Sequence, residues 1–132
     1  MKKAGFNGIP FSHPLLNEWR DNRKGVQTLH EETNFLMFGA VDDVWIDAKK
    51  NLYVVDYKAT SIDREVSLDD EWKKAYKRQA EIYQWLLRRQ KLTVSDRAYF
   101  VYANGDKSLP GFDSCLKFNI TVLPYDGIAN WV

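Results

Sequence analysis

The run Val54-Val55-Asp56-Tyr57-Lys58 carries an apolar strand straight into a carboxylate and places an ammonium two residues further on. Side chains alternate faces along a strand, so Asp56 and Lys58 share one face and Tyr57 takes the other. A charged pair at the end of an apolar strand is costly to bury unless the charges are paired or hold a metal. Gly39-Ala40-Val41-Asp42 lies on a second apolar run, which can form a hairpin with the first. Two carboxylates and a lysine then converge on one point, which is what a divalent cation and an activated water require.

The 132 residues suit one domain, 1–132, built on one core. Hydrophobic content of 45% and aromatic content of 14% belong to a packed globule and argue against extensive disorder. No apolar run approaches membrane-spanning length, and the basic start Met1-Lys2-Lys3-Ala4-Gly5-Phe6 lacks the apolar core of a signal peptide. A soluble, cytoplasmic protein is the expectation. Cys115 is the only cysteine, which excludes an internal disulfide, a four-cysteine zinc site and an iron–sulfur cluster held by this chain's thiolates. It reads as a small core residue on a late strand. The net charge of +1 makes no global case for a polyanionic partner. Between Asp70 and Lys91, however, seven bases (Lys73, Lys74, Lys77, Arg78, Arg88, Arg89, Lys91) face three acids (Asp70, Glu71, Glu81). Such a helix attracts phosphate, although a solvated basic face accounts for it equally well.

Residues 1–14, with Gly5, Gly8, Pro10 and Pro14, read as an irregular lead-in. Pro14 suits the first turn of a short helix over Leu15–Arg23, which Gly25 stops. Strands are expected over Val26–His30, as one long run over Phe35–Ile46, and over Asn51–Lys58 after the polar turn Asp47-Ala48-Lys49-Lys50-Asn51. Ser67 and Asp70 resemble a capping box opening a helix from Asp69 to Gln90. On it Trp72, Tyr76, Gln79, Tyr83 and Leu86 form one stripe. A strand over Arg97–Ala103 ends at the turn Asn104-Gly105-Asp106, and a last strand, Leu116–Leu123, is closed by Pro124-Tyr125-Asp126-Gly127. This order predicts an α/β fold with a mixed central sheet flanked by helices.

At this point the chain resembles the PD-(D/E)XK nuclease superfamily, and specifically its RecB-like branch. Gly39-Ala40-Val41-Asp42 is similar to that branch's glycine-x-x-aspartate element, and Asp56-Tyr57-Lys58 to its acid-x-lysine element. Gln79-Ala80-Glu81-Ile82-Tyr83 resembles its glutamine-x-x-x-tyrosine signature on the following helix. The three occur in the family's order, on the element types the family uses, over about residues 35–103.

The resemblance implies a restriction-endonuclease-like fold and metal-dependent hydrolysis of DNA. Asp42, Asp56 and the Tyr57 backbone carbonyl would be ligands of Mg²⁺ or Mn²⁺. Lys58 would orient the attacking water or stabilise the transition state. Gln79 would support the lysine or water, and Tyr83 would contact the site or the nucleic-acid backbone. Lys73, Lys74, Lys77 and Arg78 are the candidate DNA contacts. A buried salt bridge is the plainer account of Asp56 and Lys58, and a core aromatic that of Tyr83. Gln79 is harder to explain as packing, because an amide in an apolar stripe needs a hydrogen-bonding partner. Asp43 is expected to face outward, and Trp72, Tyr76, Trp85 and Leu86 to pack.

RecB-like members also carry a histidine or acid on an N-terminal helix. Here Glu18 on the first helix and His30 are the candidates for that further ligand; His13 reads as a turn histidine. Without a third ligand, the expectation is weak metal affinity or a chain that is part of a longer protein, with room for an element beyond Val132. Two functions follow: a metal-dependent deoxyribonuclease of DNA repair or defence, or a non-cleaving nucleic-acid-binding accessory module on a nuclease fold. A helicase or other DNA-processing protein would be the partner of either. No element for reading base sequence is visible.

Overall fold

The computed structural model describes residues 5–111 and 113–132. Among these residues the segments of regular structure follow in the order β1 (Gly8–Pro10), α1 (Leu16–Trp19), β2 (Val26–His30), β3 (Phe35–Gly39), β4 (Asp43–Asp47), β5 (Leu52–Thr60), a 3-10 turn (Glu71–Lys73), α2 (Lys74–Arg89), β6 (Arg97–Gly105) and β7 (Phe118–Asp126). Five strands form a mixed sheet in the order β1-β4-β5-β6-β7, and β2 pairs with β3 as a separate ribbon. Among the described strands only β5 and β6 run parallel, joined by the crossover through α2. A parallel neighbour needs such a crossover, which is why the long helix falls between these two strands.

The amphipathic stripe of α2 covers one face of the sheet. Leu86 and Leu87 pack there with Val44, Val54, Ala98 and Phe100, and Trp19 of α1 joins them. The ribbon also rests on α2, with Val26 fully buried. On the opposite face Phe6, Trp45, Val55 and Tyr99 make a smaller cluster, with the Phe6 ring stacked 5.4 Å from Trp45.

Several boundaries differ from the sequence expectation, each for a local reason. The lead-in is not irregular throughout: Gly8–Pro10 pair with β4, held by the burial of Phe6, while residues 1–4 lie outside the described residues. Pro10 cannot donate to a ladder, and an edge strand tolerates that. The predicted single run Phe35–Ile46 is two strands in different sheets. Between them the Val41 N–H donates to the Trp19 carbonyl at 3.0 Å, so the chain is tied to α1 where it changes sheet. Ser67 and Asp70 form no capping box. The Ser67 hydroxyl takes the Asp69 N–H at 3.1 Å, and Asp70 is spent on Arg64 and Lys73. The turn that follows is 3-10 before α2 begins.

At the far end β6 continues through Gly105 and β7 through Asp126, past the predicted turns. The Asn104 side chain takes the Ile62 N–H at 2.9 Å, and Arg97 pairs with Asp126 at 2.8 Å, which carries the pairing further in both directions. Cys115 is exposed and lies outside any strand, and Trp72 is exposed rather than packed.

Candidate metal-dependent active site

The β4–β5 hairpin pairs Asp43 with Val55, and there the ladder stops. Beyond it β5 runs on beside β6 with its other edge open. Into that opening comes Asp42, from the loop after β3. Its Oδ2 accepts the Tyr57 N–H at 2.9 Å. In a strand the N–H and C=O of one residue leave by the same edge, so the Tyr57 carbonyl also opens toward Asp42. Asp42 itself is solvent-exposed, whereas Asp56 is 4% exposed on the α2 side of the strand.

Lys58 lies on that same side, its Nζ 2.7 Å from Asp56 Oδ2. Its position is fixed from the helix. Gln79 Oε1 lies 3.5 Å from Lys58 Nζ, and the Tyr76 ring centroid is 4.3 Å away. Gln79 then donates through Nε2 to the Tyr83 hydroxyl at 2.9 Å. One helical turn separates residues 79 and 83, so both reach the strand end from one face. Tyr83 is held from below as well. A Cβ on Gly39 would sit 2.8 Å from Tyr83 Cε1, so only glycine lets β3 lie against that ring.

The electrostatics follow from this crowding. Burial raises the Asp56 carboxyl above its ordinary value, the nearby Lys58 ammonium opposes the rise, and the charge of Asp42 adds to it. Burial also raises the Tyr83 hydroxyl; Gln79 opposes this and the Asp56 and Asp42 charges increase it. A buried carboxylate whose ionisation is made costlier by a second acid is a receptor for a cation.

The donor set can be tested against that group. Asp56 Oδ2 is a buried oxygen that accepts no well-aligned hydrogen bond, although the Lys58 ammonium stands close to it. Two carboxylates and a backbone carbonyl are hard oxygens, and Mg²⁺ is typically held by one or two carboxylates together with water and substrate phosphate. Among the described residues no three His, Cys, Asp or Glu side chains form a ready-made cage. The residues fit a sparsely ligated Mg²⁺ or Mn²⁺ rather than a structural zinc or calcium site.

The remaining sequence candidates are placed as follows. Glu18 is exposed on α1, and His30 is engaged with Thr33 Oγ1 at 2.8 Å and Glu32 at 3.6 Å; neither makes a group of three with Asp42 and Asp56. Lys73 is a correction. It is 1% exposed, with its ammonium on the Ser67 carbonyl and Asp70, so it does not present itself to a phosphate. Lys77 leans over the Tyr125 ring. Lys74 and Arg78 are exposed, and both line a groove beside Gln79 and Tyr83.

Asp43 is the second correction, being 5% exposed rather than outward-facing. Its carboxylate accepts from Arg20 Nη2 at 2.5 Å and from the Tyr57 hydroxyl at 2.7 Å. Burial, reinforced by that hydrogen bond, pushes the Tyr57 hydroxyl up to about 12. Arg20 also donates through Nε to the Asp42 carbonyl at 2.9 Å, so one guanidinium holds the backbone of one acid and the side chain of the next. No sequence signal pointed to Arg20, since its partners lie more than twenty residues away.

The chain matches no curated protein and no solved structure. A family model described as the PD-(D/E)XK nuclease superfamily matches residues 9–118, which takes in every site residue above. By that match the chain belongs to the PD-(D/E)XK nuclease superfamily.

Proposed function

We propose that this chain, as one domain, is a RecB-like deoxyribonuclease that hydrolyses phosphodiester bonds with Mg²⁺ or Mn²⁺. The observation that carries the reading is the Asp56–Lys58 pair at 2.7 Å, with Asp42 anchored on the peptide between them and Gln79 reaching Lys58 from the helix. Asp42, Asp56 and the Tyr57 carbonyl would hold the ion. When bound, the cation supplies an acidified water as nucleophile and offsets charge on the phosphate.

The rest is the work of side chains. The Lys58 ammonium donates toward the scissile phosphate or the attacking water from a fixed direction, because Gln79 and Tyr76 limit where it points. A donor held in place before the reaction costs no reorganisation during it. Tyr83, through Gln79, keeps that amide oxygen turned to the lysine. The superfamily match and the hard oxygen donors both favour cutting over simple binding.

The test is cleavage of linear DNA with Mg²⁺ or Mn²⁺ against an EDTA control. Wild-type protein is expected to cut only with metal, and Asp56→Asn or Lys58→Ala to lose cleavage by a factor of roughly a hundred or more while keeping the folded circular-dichroism spectrum. Equal cutting by wild type and variants would overturn the reading. Metal-independent binding with no cutting would favour the accessory-module alternative.

A further inference from the structure

The β2–β3 ribbon exposes apolar side chains along its length, with Leu29, Phe35, Leu36 and Phe38 each close to half exposed or more. Phe38, at 56%, lines a groove of about 560 Å³ that runs between β3 and α2. Lys74, Ala75 and Arg78 line it from the helix, and so do Gln79, Ile82 and Tyr83. Lys74 and Arg78 are one helical turn apart on one face. No acid lines the groove among the described residues, and the one acid paired with its cations, Glu71 on Lys74 at 3.0 Å, stands outside it and is 87% exposed, so a phosphate can replace it.

An aromatic wall opposite a cationic wall suits one kind of polymer. Duplex DNA keeps the faces of its bases in the stack, so it offers a phenyl ring only its grooves and backbone. An unpaired strand offers each base as a π-surface while its phosphates remain free to meet cations. We propose that this groove binds unpaired nucleotides, with a base stacked on Phe38 and backbone phosphates on Lys74 and Arg78, and delivers a single strand to the Asp56–Lys58 site. This rests on the nuclease reading above and names its substrate class. The groove reaches that site because Gln79 and Tyr83 belong to both.

Binding is measured by fluorescence anisotropy in EDTA, where no cutting intervenes, with a labelled oligothymidylate, an abasic analogue of the same length and a blunt duplex. The single strand is expected to bind more tightly than the duplex. Phe38→Ala should weaken oligothymidylate binding roughly ten-fold while leaving the abasic analogue almost unaffected, and Phe38→Trp should restore it. Lys74→Ala with Arg78→Ala should weaken all three ligands and flatten the log–log salt dependence for the single strand by roughly 1.4. Equal affinity for strand and duplex, or equal losses on thymidylate and abasic ligand, overturns the proposal. So does a Phe38→Ala protein that binds normally but sediments as a monomer where wild type is a dimer, since the ribbon would then be a self-association surface. A protein that prefers single strands in EDTA yet cuts nothing with Mg²⁺ overturns the nuclease reading alone, and one that cuts but shows no strand preference overturns this proposal alone.

Discussion

Gly39 is the residue at which sequence pattern and physical cause meet most directly. The motif asks for a glycine three residues before Asp42, and the structure supplies the reason: a methyl group there would collide with the ring edge of Tyr83 and approach Leu86 Cδ1 to 3.3 Å. Neither neighbour can retreat easily, since Leu86 is fully buried and Tyr83 is bonded to Gln79. Gly39→Ala is therefore expected to cost about 1–3 kcal/mol, as other overpacked positions do. It should also reduce cleavage by displacing the Tyr83–Gln79–Lys58 chain. Denaturant midpoints and single-turnover rates measured together check this, and a stable, fully active variant would contradict it. Asp43 shows the converse. From sequence it resembles a spare acid beside Asp42, yet its place on β4 turns it to the other face, where Arg20 pairs with it and the Tyr57 hydroxyl donates to it.

Among elements, α1 is the one whose size understates its part. It has four residues and buries only Trp19, but Arg20, which caps its end, grips the loop carrying Asp42. Arg20→Ala would leave Asp43 buried without its partner, at a cost of about 1–3 kcal/mol, less than for a fully buried pair because the arginine is partly exposed. The loop would then be free to shift, and Mn²⁺ affinity measured by calorimetry should fall even though no proposed ligand is changed. Unchanged affinity would show that Arg20 serves folding alone. The long strands β5 and β6 and the helix α2 were legible in the sequence because each is a local periodicity, and the three motifs because they resemble a known family's pattern. The division of Phe35–Ile46 was not, because it depends on a contact with Trp19 some twenty residues earlier. Arg20 was hidden for the same reason. The burial of Lys73 was hidden too, because a lysine in a basic run gives no sign that the Ser67 carbonyl and the Trp72 and Tyr102 rings will enclose it.

For the whole molecule, the C-terminal residues are clipped to α2 by a single acid. Glu81 accepts from the Tyr125 hydroxyl at 2.6 Å, the Ile128 N–H at 3.1 Å and Trp131 Nε1 at 2.5 Å. Burial alone would raise its carboxyl, but these hydrogen bonds outweigh burial and hold it below its ordinary value of 4.5. A depressed carboxylate stabilises the fold above that value, and the contribution is lost as pH falls through the folded-state value. Glu81→Gln is expected to cost about 2 kcal/mol at neutral pH and less in acid, read from urea midpoints at the two conditions. An equal loss at both would mean the charge is irrelevant. The same glutamate sits inside the signature on α2, so one helix fastens the tail with one face while aiming Gln79 at the site with another.

The anchoring of Asp42 on the Tyr57 peptide has a thermal counterpart. Folding buries the Asp56 carboxylate and sets the Asp42 charge beside it, two costs that the Lys58 ammonium opposes. A divalent ion held there, as proposed, would offset those costs and act as a rivet in the native state alone. The melting temperature should climb with the logarithm of Mn²⁺ concentration, and Asp56→Asn should flatten the climb. A nuclease assembled this way would be sturdiest when loaded and most yielding when stripped.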